Sequence, residues 1–260
     1  SLKTERWSYW QARIMEQLKI KEINGKTPKD LYSNVAATRS FYGFLASDKL
    51  GIDYSLLDKP MPISKEVMAK IEAEPGIQRA REFYLLGELA SANREWNFTT
   101  NRLPTTEEMV AASRLADRWG WYRQAIQTMQ DSEYWDDLSV RFPIPYHEHV
   151  KAAARQTSID PHFVYAITKQ ESAFSSDAKS PVGAMGLMQL MPTTAKETAK
   201  KAGLVYKPQD LLQADKNLNL GSRYLNQLLS SFSGNRILAA AAYNAGPTRV
   251  KKWMNKNDIK

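Results

Sequence analysis

Asp160-Pro161-His162-Phe163-Val164-Tyr165-Ala166-Ile167-Thr168-Lys169-Gln170-Glu171-Ser172-Ala173-Phe174 reads as a helix carrying an acid on its oily side. Asp is a favoured N-cap and Pro a favoured first helical residue, so 160–161 is a start signal. At about 100° per residue, Phe163, Val164, Ile167 and Phe174 share roughly a third of the circle, and Glu171 falls inside that arc. Burying a carboxylate is costly. Either Glu171 reaches solvent at a frayed helix end, or it is held there for its chemistry. Desolvation raises a carboxyl pKa, and a carboxyl still protonated near neutral pH can protonate a leaving-group oxygen. From this helix alone the two readings stand level.

The next segment weighs on the choice. Ser180-Pro-Val-Gly-Ala-Met-Gly-Leu-Met-Gln-Leu-Met-Pro192 mixes glycines, which permit tight backbone and close approach of a ligand, with one amide, Gln189, among apolar neighbours. Such an amide needs a partner, structural or a sugar. Thr194 and Glu197 read as a capping box opening another helix. Leu218, Ser222, Leu225, Leu229 and Phe232 stripe a further helix that ends near Ser233-Gly234. In Ala239-Ala-Ala-Ala-Tyr243-Asn244-Ala245-Gly246-Pro247, alanines allow close helix packing and Gly-Pro signals the stop.

Upstream, the chain reads as helix after helix. Glu5–Leu18 repeats Trp7, Trp10, Ile14 and Leu18 at helical spacing. Tyr32–Leu50 is helical with a break near Arg39-Ser40, Ile77–Ala92 carries an apolar side, and Thr105 with Glu108 caps the helix of Met109, Ala112, Leu115 and Ala116. Tyr122–Met129 follows Gly120. No strand pattern competes, so the expected class is all-α, a stacked helical array. The aromatic residues of this part are read as packing. Arg141-Phe-Pro-Ile-Pro-Tyr146 interrupts it, because residues before proline favour extended backbone. A domain boundary is placed there, giving 1–143 and 144–260.

The bulk composition bounds the rest. The chain has 260 residues, 43% hydrophobic and 25% charged, with formal charge +8, and a pI near 9.4. These are globular values, with a basic balance that attracts polyanions; the charge is scattered, so no nucleic-acid partner is expected. Cysteine is absent, which removes disulfides and thiolate chemistry. His147 and His149 have no acidic or histidine cluster at ligand spacing, so no metal and no cofactor is expected. No apolar run is long enough for a membrane span. The chain opens Ser1-Leu2-Lys3-Thr4 without an initiator Met or signal peptide, and reads as a mature or trimmed chain.

Three segments together, 170–174, 180–192 and 241–247, resemble in residues, order and spacing the soluble lytic murein transglycosylases with a goose-lysozyme-like catalytic domain. Arg39-Ser40-Phe41-Tyr42-Gly43 and Arg141-Phe142-Pro143 more loosely resemble the linker part of the large soluble enzymes. The resemblance implies a superhelical array followed by a lysozyme-like α-helical catalytic domain, cleaving the β-1,4 bond between N-acetylmuramic acid and N-acetylglucosamine to a 1,6-anhydro product. Glu171 matches the catalytic acid, then base. Ser180, Gly186, Met188, Gln189, Met191, Tyr243 and Asn244 match substrate-binding positions: Met188 and Met191 on the groove wall, Gly186 through its backbone, Gln189 and Tyr243 beside the acid. Peptidoglycan strands are the implied partner and the periplasm the implied location. The family continues past the Tyr-Asn-Ala-Gly segment, so 144–260 is expected to be C-terminally incomplete.

A two-carboxylate hydrolase needs a second acid at a defined separation. Asp177 and Asp215 are read as loop or cap residues instead. The alternatives are a goose-type lysozyme using water, a fragment that binds glycan without cutting it, and a helical binding module for a polyanion or protein.

Overall fold

A computed structural model describes residues 4–256. The opening Ser1-Leu2-Lys3 and the last four residues of the expected 144–260 domain lie outside them. The described residues form fifteen α-helices and no strand, with isolated antiparallel bridges only. The chain divides into two compact units, one ending at Pro60 and one starting at Met61.

The first unit holds α1 (Glu5–Gln17), α2 (Pro28–Ala36) and α3 (Phe41–Leu50). Thr27 and Asp30 cap α2 reciprocally, Ser40 caps α3, and Gly51 ends α3 in the left-handed region. The break expected near Arg39-Ser40 is therefore a cap. Tyr9, Ala12 and Met15 of α1 bury against Leu31, Tyr32, Val35 and Ala46. The stripe Trp7, Trp10, Ile14 and Leu18 lies exposed instead: these residues share a helix face, but α2 and α3 cover the other one.

The second unit begins with α4 (Lys65–Ala73), α5 (Pro75–Leu85), α6 (Leu89–Thr100), α7 (Thr106–Arg118), α8 (Tyr122–Asp131) and a single turn, α9 (Leu138–Arg141). The single helix expected over Ile77–Ala92 is two, α5 and α6. Gly87, at φ +76°, turns the chain between them in a conformation that costs other residues roughly 1–2 kcal/mol. Thr105 accepts from the Glu108 amide as expected, but the Glu108 carboxylate pairs with Lys70. Trp96, fully buried, donates its indole N–H to Thr128 at 2.8 Å and meets Trp121 edge-on. Trp96 and Trp121 are core, with Phe83, Tyr84, Trp119 and Tyr134 packed against it, whereas Phe98 and Trp135 lie exposed; Asp137, almost fully buried, is paired with Arg114 at 2.7 Å.

The same unit continues through α10 (His147–Thr157), α11 (Pro161–Ser172), α12 (Pro192–Lys201), a 3-10 turn over Pro208–Leu212, α13 (Ala214–Ser231), α14 (Arg236–Ala245) and α15 (Pro247–Lys256). Asp160 caps α11 by accepting from the His162 amide. Helix α12 starts at Pro192, before Thr194, because proline at the first position gives up no helical hydrogen bond. Helix α13 is central, packing against α10, α12 and α14. Val150, Val164, Ile167, Leu187, Met188, Leu218 and Leu225 form the core beneath α11. Ala239 and Ala242 are fully buried, so α14 approaches its neighbours closely as the alanine run predicts. Among the described residues no helix is long and apolar enough to cross a membrane, and no histidine or acidic cluster could hold a metal ion.

Candidate active site

Glu171 sits in the last turn of α11, near enough to Tyr243 of α14 for its charge to act on that phenol. Its neighbour fixes the helix end. Ser172 is buried and donates its hydroxyl to the Leu187 carbonyl at 2.8 Å. Ala173 and Phe174 then both take left-handed backbone, at φ +48° and +66°, so the chain turns away directly after the acid. Burial, the one cause at work, raises the Glu171 carboxyl pKa above its ordinary value. The protonated acid is thus favoured, which is what proton donation to a leaving group requires.

Tyr243 reaches the same place from the end of α14. Its phenol donates to the Met188 carbonyl at 2.8 Å, and its ring lies 5.4 Å from that of Tyr224. Burial first, then the Glu171 charge, then Tyr224 hold its pKa well above the ordinary phenol value. Tyr243 therefore remains a protonated donor beside the acid.

The loop between them is fixed by its own backbone and by one amide from α13. Gly186, at φ +76°, lies so close to the next layer that a Cβ would stand 1.9 Å from the Leu211 carbonyl oxygen. Its N–H donates to Ala178 O at 2.8 Å. Gln189, also left-handed at φ +46°, donates its side-chain amide to Ala178 O and Gly186 O at 3.1 and 2.9 Å, so its N–H₂ finds a structural partner. Ser180 Oγ accepts from the Ala184 amide at 2.9 Å and keeps its own proton to give. Asn217 accepts from Met188 N at 2.8 Å and donates to Met185 O and Leu211 O at 3.0 and 2.8 Å.

The structure thus brings Glu171, Tyr243 and the Met188 backbone together, with Ser180, Gly186, Gln189 and Met191 on the adjoining loop. Met191 and Asn244 are exposed and free to meet a ligand. Met188 is placed otherwise than on a groove wall: its side chain is fully buried against Gly221, where a Cβ would stand 2.3 Å from its sulfur. Its carbonyl and amide meet Tyr243 and Asn217. Asn217 lies outside the segments read as site motifs, and Ser172 lies inside 170–174 without being singled out there. A signal for Asn217 exists: with Gly221 it sits on the buried face of α13, where an amide must be satisfied. Asp177 accepts from Ser175, and Asp215 stands exposed in the first turn of α13.

An all-helical domain that holds one desolvated glutamate at a helix end, against a glycine-bearing loop and a tyrosine, is of the lysozyme-like class. Residues 148–260 match the transglycosylase SLT domain and residues 70–138 the soluble lytic murein transglycosylase L domain. The chain belongs to the soluble lytic murein transglycosylase family. It is 34% identical to the soluble lytic murein transglycosylase of Salmonella typhimurium over 253 residues, covering 96% of this chain and 38% of that protein. Against the Escherichia coli K12 protein the identity is 32%, with the same coverage. Among solved structures, the lytic transglycosylase Slt from Pseudomonas aeruginosa superposes with a TM-score of 0.89 at 43% identity, over 97% of this chain and 41% of that one. The 70 kDa soluble lytic transglycosylase from Escherichia coli gives 0.85 at 32% identity, over 98% and 40%. The chain spans about two fifths of the length of these relatives.

Proposed function

We propose that this chain cleaves the β-1,4 bond between N-acetylmuramic acid and N-acetylglucosamine in peptidoglycan strands without water, with Glu171 as acid and then base. The observation that carries this reading is the desolvated Glu171 carboxyl, raised by burial, beside the protonated Tyr243. Glu171 gives its proton to the glycosidic oxygen as the bond to C1 breaks. The N-acetyl carbonyl of the muramic acid stabilises C1. The Glu171 carboxylate then takes the proton from the C6 hydroxyl, whose oxygen bonds to C1 and closes the 1,6-anhydro ring. One group serves twice, so no second carboxylate is needed.

The roles follow the placement. Tyr243 and Asn217 hold the loop beside the acid. Ser180 offers its hydroxyl proton, Asn244 and Met191 offer exposed contacts to the sugar, and Gln189 and Gly186 shape the backbone that faces it. Also in support, the Pseudomonas aeruginosa structure is of an inactive mutant in which a glutamate is replaced by glutamine. The substrate places the protein in the periplasm. The functional boundary we draw is near residue 143, between the two family matches at 70–138 and 148–260.

The test is to incubate the chain and its Glu171→Gln variant with purified peptidoglycan and weigh the soluble products. Muropeptides ending in 1,6-anhydromuramic acid, lost in the variant, are expected. Products heavier by one water would replace this reading with a lysozyme. No products from either protein would leave a chain that binds glycan without cutting it.

A further inference from the structure

The segment joining the two family matches grips the helix that carries Glu171 by contacts from both sides. Helix α11 reaches out through Tyr165, whose hydroxyl donates to the Pro145 carbonyl at 3.1 Å. The segment reaches back through Tyr146, whose hydroxyl donates to the Phe174 carbonyl at 3.5 Å, the weaker of the two bonds. The Tyr165 ring meets the buried Phe174 ring edge-on, with centroids 6.1 Å apart. One turn nearer the acid, the Lys169 ammonium lies 4.9 Å from the centroid of the Phe142 ring. The grip thus touches α11 at 165 and 169 and the chain just after it at 174, and Glu171 lies between the last two.

The backbone at these points is held in conformations it would not choose. Tyr146, Ala173 and Phe174 all have left-handed φ, at +54°, +48° and +66°, and none is glycine. Such residues persist only where the surroundings over-determine them. Here the determinants are the two tyrosine hydroxyls, the buried Phe174 ring and the Ser172–Leu187 bond. The last belongs to the site itself. The others join α11 and the residues just after it to the segment that precedes α10.

We propose that residues 142–146 and Tyr165 form a clasp that aims Glu171, with Tyr146 and Tyr165 as positioning residues. The clasp ties the acid to α9, which packs on α7 and α8, so those helices set where the acid points. Its catalytic consequence rests on the transglycosylase reading; its effect on the Glu171 carboxyl does not.

The variants are Tyr146→Phe, Tyr165→Phe and the two combined; each substitution keeps the ring and removes one hydroxyl. On a soluble peptidoglycan-derived oligomer, the double variant is expected to lower kcat about tenfold with KM within about twofold, since small misplacements of a reacting group are costly. Its thermal midpoint should stay within a few degrees of the parent. Carbon-13 NMR titration of the Glu171 carboxyl, which needs no substrate, should show its pKa moving down toward the ordinary value as the helix end loosens. An unchanged kcat overturns the clasp, as does a fall in kcat matched by an equal loss of folded protein. If the parent chain itself is inactive, the transglycosylase reading fails and the titration alone decides: a shift upholds the clasp, and none removes it.

Discussion

The phenol of Tyr243 donates to the Met188 carbonyl at 2.8 Å, joining the end of α14 to the 178–191 loop. Phenylalanine at this position would keep the ring and leave a buried carbonyl without its donor. Tyr243→Phe is expected to cost about 1–3 kcal/mol, read as a lower urea midpoint. An unchanged midpoint would mean that the bond contributes nothing to holding the loop.

Glu171→Gln should abolish cleavage and stabilise the fold at neutral pH. Burial raises the Glu171 pKa above 4.5, so the folded state binds the proton more tightly than the unfolded one. The stability tied to that proton is fully present below the ordinary value and is lost as pH rises through the folded value. The amide of glutamine escapes the loss. The variant's advantage should therefore grow through the acid range to neutrality and vanish below about pH 4. Thermal midpoints of both proteins across that range check it, and a gap independent of pH would contradict it.

Gly186 and Gly183 separate backbone strain from close approach. Both have left-handed φ, but a Cβ at 186 would strike Leu211 O whereas one at 183 would meet nothing within 4 Å. Gly183→Ala should cost roughly 1–2 kcal/mol, for the conformation alone. Gly186→Ala should cost about 2–5 kcal/mol, because overpacking is added. Equal losses in urea unfolding would show that the loop yields freely at 186.

Asn217 is satisfied at both ends of its amide, accepting from Met188 N and donating to Met185 O and Leu211 O. Removing all three bonds in Asn217→Ala should cost about 3 kcal/mol, since buried partners are left unpaired. Asn217→Asp keeps an acceptor for Met188 but sets a carboxylate against two carbonyls. It should be no more stable than the alanine variant at pH 7 and should recover in acid, where a protonated carboxyl regains one donor. Unfolding at the two pH values distinguishes these, and an aspartate variant as stable as the parent at neutral pH would overturn the assignment.

Much of the fold is legible in local signals. Asp160-Pro161 opens α11, Ser40 breaks the Tyr32–Leu50 stretch, and Gly246 ends α14, because caps and stops act within a few residues. Where two local signals compete, position decides: Pro192 starts α12 ahead of Thr194, and Gly87 divides what periodicity joins into one helix. The acid at 171 stands out for a local reason too, since a carboxylate on an oily arc is costly wherever the helix packs.

Periodicity alone does not tell which face is covered. Helical spacing marks Trp7, Trp10, Ile14 and Leu18 as one face of α1, yet α2 and α3 cover Tyr9, Ala12 and Met15 instead. It likewise places Met188 in an apolar run without saying that its side chain turns toward Gly221 while its carbonyl meets Tyr243. By itself the sequence determined an all-helical chain with one misplaced acid and the segments flanking it. Tertiary structure decided the rest: that burial raises the Glu171 carboxyl, that Asn217 and Tyr243 hold the loop, and that Tyr165 of α11 meets the Pro145 carbonyl while Tyr146 meets that of Phe174. The physical reason is that helix formation is governed by neighbours three and four residues apart. Desolvation and the pairing of buried polar groups are settled only when distant segments meet.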